Sequence, residues 1–319
     1  MYQLMRIIIS LGLLAFLLTR VNLPELAGVL KSINVWWFLL ALLVSSLNMF
    51  LGAYRWQVLL LASRMAVPLS SLISLYFVGN FFSMFLPTVL GGDIMRTYEL
   101  AKYSKRTTAA IATVVIERLI GFAALFIICL VSLPIFGSDR LYGTNILPIA
   151  VALSLVFFLL LALLYHRRLM NKILSLGRIF KRWDLESKLK RGYASLNELA
   201  VSKKGMLLAF LLSLVYQFMG IVGVFFVSKA LGLDVPFSFF LVTMPIIWVI
   251  VMIPISIAGL GVRESAFVFF FTQQGVASSS ALLLSLLFFS LTLATALVGG
   301  VIYGLGRYRF RPISYKERV

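Results

Sequence analysis

The sequence is short of three kinds of residue, namely cysteine, histidine and the acids. Its 319 residues include one cysteine, Cys129, one histidine, His166, and 11 acids. A single cysteine excludes a disulfide within the chain, and one cysteine with one histidine excludes the usual zinc clusters. Only 13% of the residues are charged, whereas a typical soluble domain has about 25%. We therefore exclude a separate soluble domain and predict neither a metal site nor a cofactor.

Apolar residues take the place of the missing charge. They make up 61% of the chain, and the mean hydropathy is +1.03. We predict an all-α polytopic membrane protein that forms a single integral membrane domain. Runs long enough for about six full transmembrane helices cover residues 5–20, 35–61, 107–136, 145–165, 204–231 and 280–305.

Two further apolar runs, 68–86 and 237–254, stop at breaks rich in proline and glycine. Each break has a proline, an apolar spacer, two glycines and then charged residues. The breaks are Pro87, Gly91 and Gly92 before Asp93 and Arg96, and Pro254, Gly259 and Gly261 before Arg263 and Glu264. The limbs that follow, 91–104 and 262–275, are shorter than the ~20 residues of a span. Broken segments at matching places in two halves point to a transporter binding site, so we predict two re-entrant hairpins.

The distribution of charge predicts the orientation. Residues 166–204 hold eleven Lys or Arg against three acids, and the C-terminal tail is also basic. Because cytoplasmic loops are enriched in Lys and Arg, this segment and both termini are expected on the cytoplasmic side of the inner membrane. Following the chain from there, residues 1–136 and 137–319 form two halves of opposite orientation, as in an inverted repeat.

Several charged residues fall within the apolar segments. They are Arg55, Asp93, Arg96, Glu117, Arg118, Arg263 and Glu264. An ionised side chain at this depth costs several kcal/mol unless it is paired or hydrated. Because adjacent residues on a helix do not face each other, we expect Glu117, Arg118, Arg263 and Glu264 to pair with groups elsewhere.

These charges predict a binding site for an anion. We expect Arg118 and Arg263 to line one central cavity and to hold a phosphate, which arginine binds in a bidentate manner. Asp93, Glu117 and Glu264 would position them, and backbone N–H groups at the glycine breaks would add donors. Further polar contacts are predicted from Asn80, Ser83, Thr88 and Gln217, each of which is otherwise a helix-packing residue.

Taken together, these motifs resemble a known family. Tyr54-Arg55-Trp56, Leu86-Pro87 with Gly91-Gly92-Asp93 and Arg96, Glu117-Arg118, and Pro254 with Gly259-Leu260-Gly261 and Arg263-Glu264 resemble the flippase-like membrane domain of lysylphosphatidylglycerol synthase, also called UPF0104. The resemblance implies movement of a lipid with a charged head group between leaflets. Synthase members carry a soluble aminoacyl-transferase domain after this region. The chain ends at Val319, so aminoacylation is not expected.

Three functions are therefore weighed. The leading one is a lipid flippase, which is not an enzyme. The others are a membrane-embedded enzyme acting on lipid-linked phosphate or sugar, and a scaffold subunit of an envelope-lipid pathway. The sequence lacks a histidine acid–base pair, a metal cluster and a nucleotide-binding loop, which disfavours the enzyme. The expected partners are membrane lipids with an anionic head group and no nucleic acid. A second copy of the chain or enzymes of envelope-lipid biosynthesis are further candidates.

Overall fold

The computed structural model of the chain describes residues 33–85, 91–136, 148, 150–159, 161–162, 203–253, 256 and 259–306. Several predictions fall outside these residues. They concern the first span at 5–20, the basic segment up to residue 202, the C-terminal tail beyond residue 306, and the hairpin prolines Pro87 and Pro254.

The described part of the chain is all-helical, with nine helices and no strand. In chain order they are α1 Val35–Ala62, α2 Leu69–Phe85, α3 Gly91–Ser104, α4 Thr107–Phe136, α5 Ala150–Leu159, α6 Lys203–Ala230, α7 Phe237–Met252, α8 Val262–Thr272 and α9 Ser278–Gly304. The predicted all-α class is confirmed.

Four of these helices, α1, α4, α6 and α9, are long and apolar enough to cross a membrane. Each offers an apolar stretch of 27 or 28 residues, which exceeds the ~20 residues that a span requires. α5 covers ten residues of the span predicted at 145–165. The protein is therefore an integral membrane protein, and the count of six full spans stays a prediction.

The helices define two ends of the bundle. Val58 and Leu59 near the end of α1 pack with Ala112 of α4 and Ala209 of α6, so α1 ends where α4 and α6 begin. Exposed basic side chains at this end, which we call the basic end, are Arg64, Lys102, Lys105, Arg106, Lys203 and Lys204. At the opposite end, the Asn34 N–H before α1 donates to the Ala230 carbonyl of α6 at 2.9 Å.

The helix pair α2–α3 has both of its outer ends at the basic end of the bundle. The Gln57 amide of α1 donates to the Val67 carbonyl before α2 at 3.1 Å. Arg106, which follows α3, donates to the Ser63 carbonyl at 3.2 Å. With 17 and 14 residues, both helices are shorter than a typical span.

The pair α7–α8 has its outer ends at the opposite end. The ring of Phe237, at the start of α7, packs 5.1 Å from Phe225 near the end of α6. Phe271 near the end of α8 packs 5.3 Å from Phe239 of α7. The two short pairs thus approach the middle of the bundle from opposite ends.

Helix packing follows the same pattern in both halves. α1 packs against α6. α2 packs against α9, and in the corresponding way α7 packs against α4. α3 contacts α2 and α4, and α8 contacts α7 and α9 in the same way. The pattern of contacts is unchanged when α1–α4 are exchanged with α6–α9.

α3 has its polar side turned inward. It buries Asp93, Arg96 and Glu99, whereas Ile94 and Tyr98 are each 60% exposed. Water-soluble helices show the reverse arrangement. Charged residues inside membrane proteins face the bundle interior or a water-filled cavity, so α3 is a helix adapted to an apolar surrounding.

Glycine permits the close contact between α2 and α9, and this yields a first prediction. A Cβ atom on Gly299 would lie 2.0 Å from the Phe77 carbonyl oxygen, whereas one on Gly304 of the same helix would meet nothing within 4 Å. We expect Gly299→Ala to force the helices apart at a cost of about 1–3 kcal/mol. Gly304→Ala is the matched control and should be neutral or slightly stabilising. Thermal unfolding in detergent measures both, and equal midpoints would contradict the packing described.

Candidate functional site

Glu117 of α4 joins three other helices through its carboxylate. Oε1 accepts hydrogen bonds from Arg55 Nη2 of α1 at 2.6 Å and from the Tyr76 hydroxyl of α2 at 2.7 Å. Oε2 accepts one from Arg96 Nη1 of α3 at 3.1 Å. The Glu117 side chain is only 2% exposed. Glu117 therefore fixes four helices at one buried point, ten residues into α4 and about 15 Å from the basic end.

Asp93 extends this network toward the cavity described below. Its Oδ1 accepts from Arg96 Nη2 at 2.5 Å. Its Oδ2 accepts from Arg118 Nε at 2.7 Å and lies 2.6 Å from Arg118 Nη2. Arg96 thus bridges the two carboxylates, and Arg118 forms the outer member of a continuous chain of ion pairs.

We call these five residues the first charge cluster: Arg55, Asp93, Arg96, Glu117 and Arg118. Three guanidinium groups face two carboxylates, so the cluster carries a formal charge of +1. Glu117 and Arg118 do pair with groups on other helices, as the sequence predicted. The excess positive charge is able to attract an anion into the adjoining space.

Aromatic rings pack against the guanidinium groups of two of the arginines. The Arg55 guanidinium lies 4.4 Å from the Tyr216 ring, and that of Arg96 lies 4.4 Å from Tyr76 and 5.0 Å from Trp56. Such cation–π contacts gain strength away from water. The sequence analysis missed the roles of Tyr76, Trp56 and Tyr216, because aromatic residues are common throughout this chain.

Arg55 retains one donor for a further group. Its Nη1 donates to Ser213 Oγ of α6 at 3.2 Å. Its Nε is buried and has no hydrogen-bond partner among the described residues. A buried donor left in this way costs free energy, so a water molecule or a ligand oxygen in the cavity would be stabilised here.

The start of α3 is held in place by a glycine contact. A Cβ on Gly92 would lie 2.1 Å from the Gly79 carbonyl oxygen of α2, so a side chain cannot fit. The Gly92 N–H donates to Ser83 Oγ at 3.0 Å. This contact places Arg96, four residues later, beside Glu117, and Asp93, one residue later, beside Arg118. The Gly92 N–H is therefore already used, contrary to the expectation that it is offered to an anion.

A cavity of about 340 Å³ adjoins the first charge cluster. All five cluster residues line it, together with Asn80, Ser83 and Gln217. An apolar wall comes from the second half of the chain, where α7 contributes Trp248, Val251 and Met252. We call this space the larger cavity. It combines a cationic wall with an apolar wall, as suits a molecule with a charged and an apolar part.

Arg263 and Glu264, in the first turn of α8, pair with each other. The guanidinium donates to the Glu264 carboxylate through Nε at 3.0 Å and through Nη2, and Nε also lies 3.2 Å from Ser285 Oγ. The prediction that both residues pair with groups elsewhere is corrected in this respect. The Glu264 carboxylate turns back to accept the Gly261 N–H at 2.6 Å, which brings it beside the neighbouring guanidinium. The Gly261 N–H is therefore not offered to an anion either.

Arg263 lies on a second, smaller cavity of about 130 Å³. This cavity shares Asn80, Ser83 and Val251 with the larger one. Arg118 and Arg263 were predicted on one cavity, whereas the structure places them on two cavities that adjoin at these shared residues. The Asn80 amide donates to Thr295 Oγ1 at 2.9 Å, which ties the shared wall to α9.

The other predicted residues have simpler positions. Gln217 donates to the Gly121 carbonyl at 2.9 Å on the wall of the larger cavity. Gly259 and Gly261 have φ angles of +75° and +82°, a left-handed conformation that favours glycine. Gly91 is buried at the start of α3. Thr88 lies outside the described residues, and within those residues no group of three or more potential metal ligands occurs.

Comparison with known sequences adds the family. Residues 3–300 match the sequence model of the lysylphosphatidylglycerol synthase transmembrane region. The chain belongs to this family. A UPF0104 membrane protein of Methanothermobacter thermautotrophicus is 24% identical over 290 residues, covering 86% of each chain. The resemblance drawn from the motifs is confirmed, and both charged groups of residues lie inside the region matched by the lysylphosphatidylglycerol synthase transmembrane family.

For this member of the family, the Arg263–Glu264 pair gives a second prediction. Glu264 is 0% exposed, so Arg263→Ala leaves a buried carboxylate without its ionic partner. Breaking such a pair costs about 3–5 kcal/mol. Adding Glu264→Gln removes the charge and should restore most of that loss. Thermal unfolding of the single and double variants checks this, and a wild-type midpoint in Arg263→Ala would show that the pair does not stabilise the fold.

Proposed function

We propose that the protein is a lipid flippase, which moves a lipid with an anionic or charged head group between the leaflets without changing it chemically. The head group would pass through the larger cavity while the acyl chains stay in the bilayer. The observation that carries the proposal is the first charge cluster on the wall of a cavity inside an apolar helix bundle.

The chemistry of the cluster supports a phosphate-bearing head group. Charged side chains within a membrane protein are costly and mark substrate or ion pathways. The net charge of +1 favours an anion, and arginine matches the geometry of phosphate oxygens. The cavity of about 340 Å³ falls at the lower end of ligand sites, which span about 300–1,000 Å³. That size suits a head group, with the acyl chains outside.

The arrangement of the short helices supports a transport mechanism. α2–α3 and α7–α8 approach the middle from opposite ends of the bundle, and each presents charged residues there. In transporters with inverted repeats, broken helices of this kind meet at the substrate site, and one repeat moves against the other to alternate access. We further propose that the two short pairs are re-entrant hairpins. Because positively charged loops stay inside, the basic end would face the cytoplasm from the inner membrane.

Leaflet exchange in vesicles tests the proposal. The purified protein is reconstituted into phosphatidylcholine vesicles containing a trace of phosphatidylglycerol that carries a fluorophore on an acyl chain. A membrane-impermeant reductant then bleaches the outer leaflet. With protein, the bleached fraction should exceed that of protein-free vesicles, because inner-leaflet lipid reaches the outside. An unchanged fraction for phosphatidylglycerol, with the protein folded, would count against the function.

Mass spectrometry of the same vesicles separates the flippase from the enzyme. A flippase leaves the head group unchanged, whereas an enzyme acting on lipid-linked phosphate or sugar alters its mass. The scaffold alternative predicts neither exchange nor chemical change in the isolated protein. Identification of the lipid that copurifies with the protein would then name the natural cargo.

A further inference from the structure

We infer that Asp93 is an internal substitute for the lipid phosphate: it holds Arg118 while the larger cavity is empty, and the incoming phosphate displaces it. This inference rests on the proposed function and adds the residue that controls binding and release. Two observations carry it, namely the exposure of Arg118 and the double pairing of Asp93.

Arg118 differs from the other two arginines of the first charge cluster. Its side chain is 36% exposed, whereas those of Arg55 and Arg96 are 6% and 7% exposed. Both buried arginines pair with Glu117. Among the described residues, Asp93 is the only ion-pair partner of Arg118. Arg118 is therefore the guanidinium that a ligand in the cavity can reach with the least rearrangement.

Asp93 can lose its ion pair with Arg118 and still keep a cationic partner. Its Oδ1 stays bonded to Arg96 at 2.5 Å when Oδ2 loses Arg118. The large cost of breaking a buried ion pair arises because one partner is left uncompensated. That condition is absent here, since Arg96 still neutralises Asp93 and the ligand neutralises Arg118.

This exchange explains how a site can bind a head group and also release it. A phosphate takes the place of one carboxylate oxygen, so Arg118 has an anionic partner before and after. On departure, Asp93 returns to Arg118 and no unpaired charge remains. A cation gains no such partner, since Arg118 would repel it. The arrangement therefore favours an anionic head group over a cationic one and prevents the anion from binding too tightly.

The experiment measures binding and exchange in the same three variants. Asp93→Asn removes the competing charge, Asp93→Glu keeps it, and Glu99→Gln is the control. Glu99 is a buried acid on the same helix but lines neither described cavity. The binding probes are water-soluble dihexanoyl-phosphatidylglycerol and inorganic phosphate, titrated into the detergent-solubilised protein by calorimetry. The exchange probe is the acyl-labelled phosphatidylglycerol described above.

Asp93→Asn should bind dihexanoyl-phosphatidylglycerol about tenfold more tightly, because the ligand no longer competes with a charge-assisted hydrogen bond. The same variant should exchange the labelled lipid more slowly, because release is impaired. Asp93→Glu should restore exchange toward the wild-type rate, and Glu99→Gln should match the wild type in both assays. Unfolding midpoints accompany each measurement, so that loss of fold is recognised.

Opposite changes in affinity and exchange distinguish this role from a structural one. If Asp93→Asn binds the short-chain lipid less tightly or equally, the inference is wrong. If Asp93→Asn gains the same affinity for inorganic phosphate, and neither the wild type nor any variant exchanges lipid, the role of Asp93 stands but the flippase function fails. If the wild type exchanges lipid and the affinity of Asp93→Asn is unchanged, the function stands and the inference fails.

Discussion

Replacing Glu117 with alanine is expected to destabilise the protein by about 3–5 kcal/mol, the range for removing one partner of a buried ion pair. The carboxylate pairs with Arg55 at 2.6 Å and with Arg96 at 3.1 Å, and it also accepts the Tyr76 hydroxyl. Removal leaves Arg55 without an anionic partner among the described residues. Arg96 keeps its ion pair with Asp93, so the loss of stability comes mainly from the unpaired Arg55.

The measurement is thermal unfolding in detergent, with Glu99→Ala as the matched control. Glu99 is buried to a similar extent as the cluster acids but has no ion pair among the described residues. Combining Glu117→Ala with Arg55→Leu removes the stranded charge and should recover part of the stability. If Glu117→Ala and Glu99→Ala both unfold at the wild-type temperature, the network does not stabilise the four helices.

Arg118→Ala is expected to abolish leaflet exchange of phosphatidylglycerol while the unfolding midpoint changes little. Its side chain is 36% exposed, and Asp93 keeps Arg96 when Arg118 is absent. Partly exposed ion pairs contribute little to stability, about 0–1 kcal/mol. The loss of function would follow because the cavity loses its accessible guanidinium and its net positive charge.

Arg118→Lys is the matched control for charge. An ammonium keeps the positive charge but cannot form the two parallel hydrogen bonds of a guanidinium with phosphate. We expect exchange between that of the wild type and that of Arg118→Ala, measured by bleaching of the acyl-labelled lipid. Full exchange in Arg118→Ala vesicles would exclude this residue from the head-group site. A large fall in the unfolding midpoint would instead assign it a structural role.

Much of the fold could be predicted from the order of residues alone. The helices α1, α4, α6 and α9 begin and end within two residues of the apolar runs 35–61, 107–136, 204–231 and 280–305, because each run must satisfy its own backbone hydrogen bonds in lipid. The short helices after the glycine breaks also begin where predicted, at Gly91 and Val262. The charged residues were recognised because each is costly in an apolar segment.

The partners of those charges could not be predicted. Arg55 and Glu117 are 62 residues apart, and Arg55 and Ser213 are 158 apart. Their meeting depends on the packing of α1 against α4 and against α6. No local pattern records these contacts. The pairing of Arg263 with Glu264 could not be predicted for a similar reason. The turn of Glu264 toward Gly261 depends on the backbone at the start of α8.

The sequence by itself determined that this is a membrane protein, where its long helices lie, and which residues are too costly to be accidental. Those properties follow from the free energy of each segment in lipid, which depends on nearby residues only. The tertiary structure alone decided that Glu117 joins four helices, that Asp93 holds Arg118, and that Arg118 and Arg263 lie on two adjoining cavities. Pairing and cavity shape depend on the distances between helices, which are set by side-chain packing across the whole bundle.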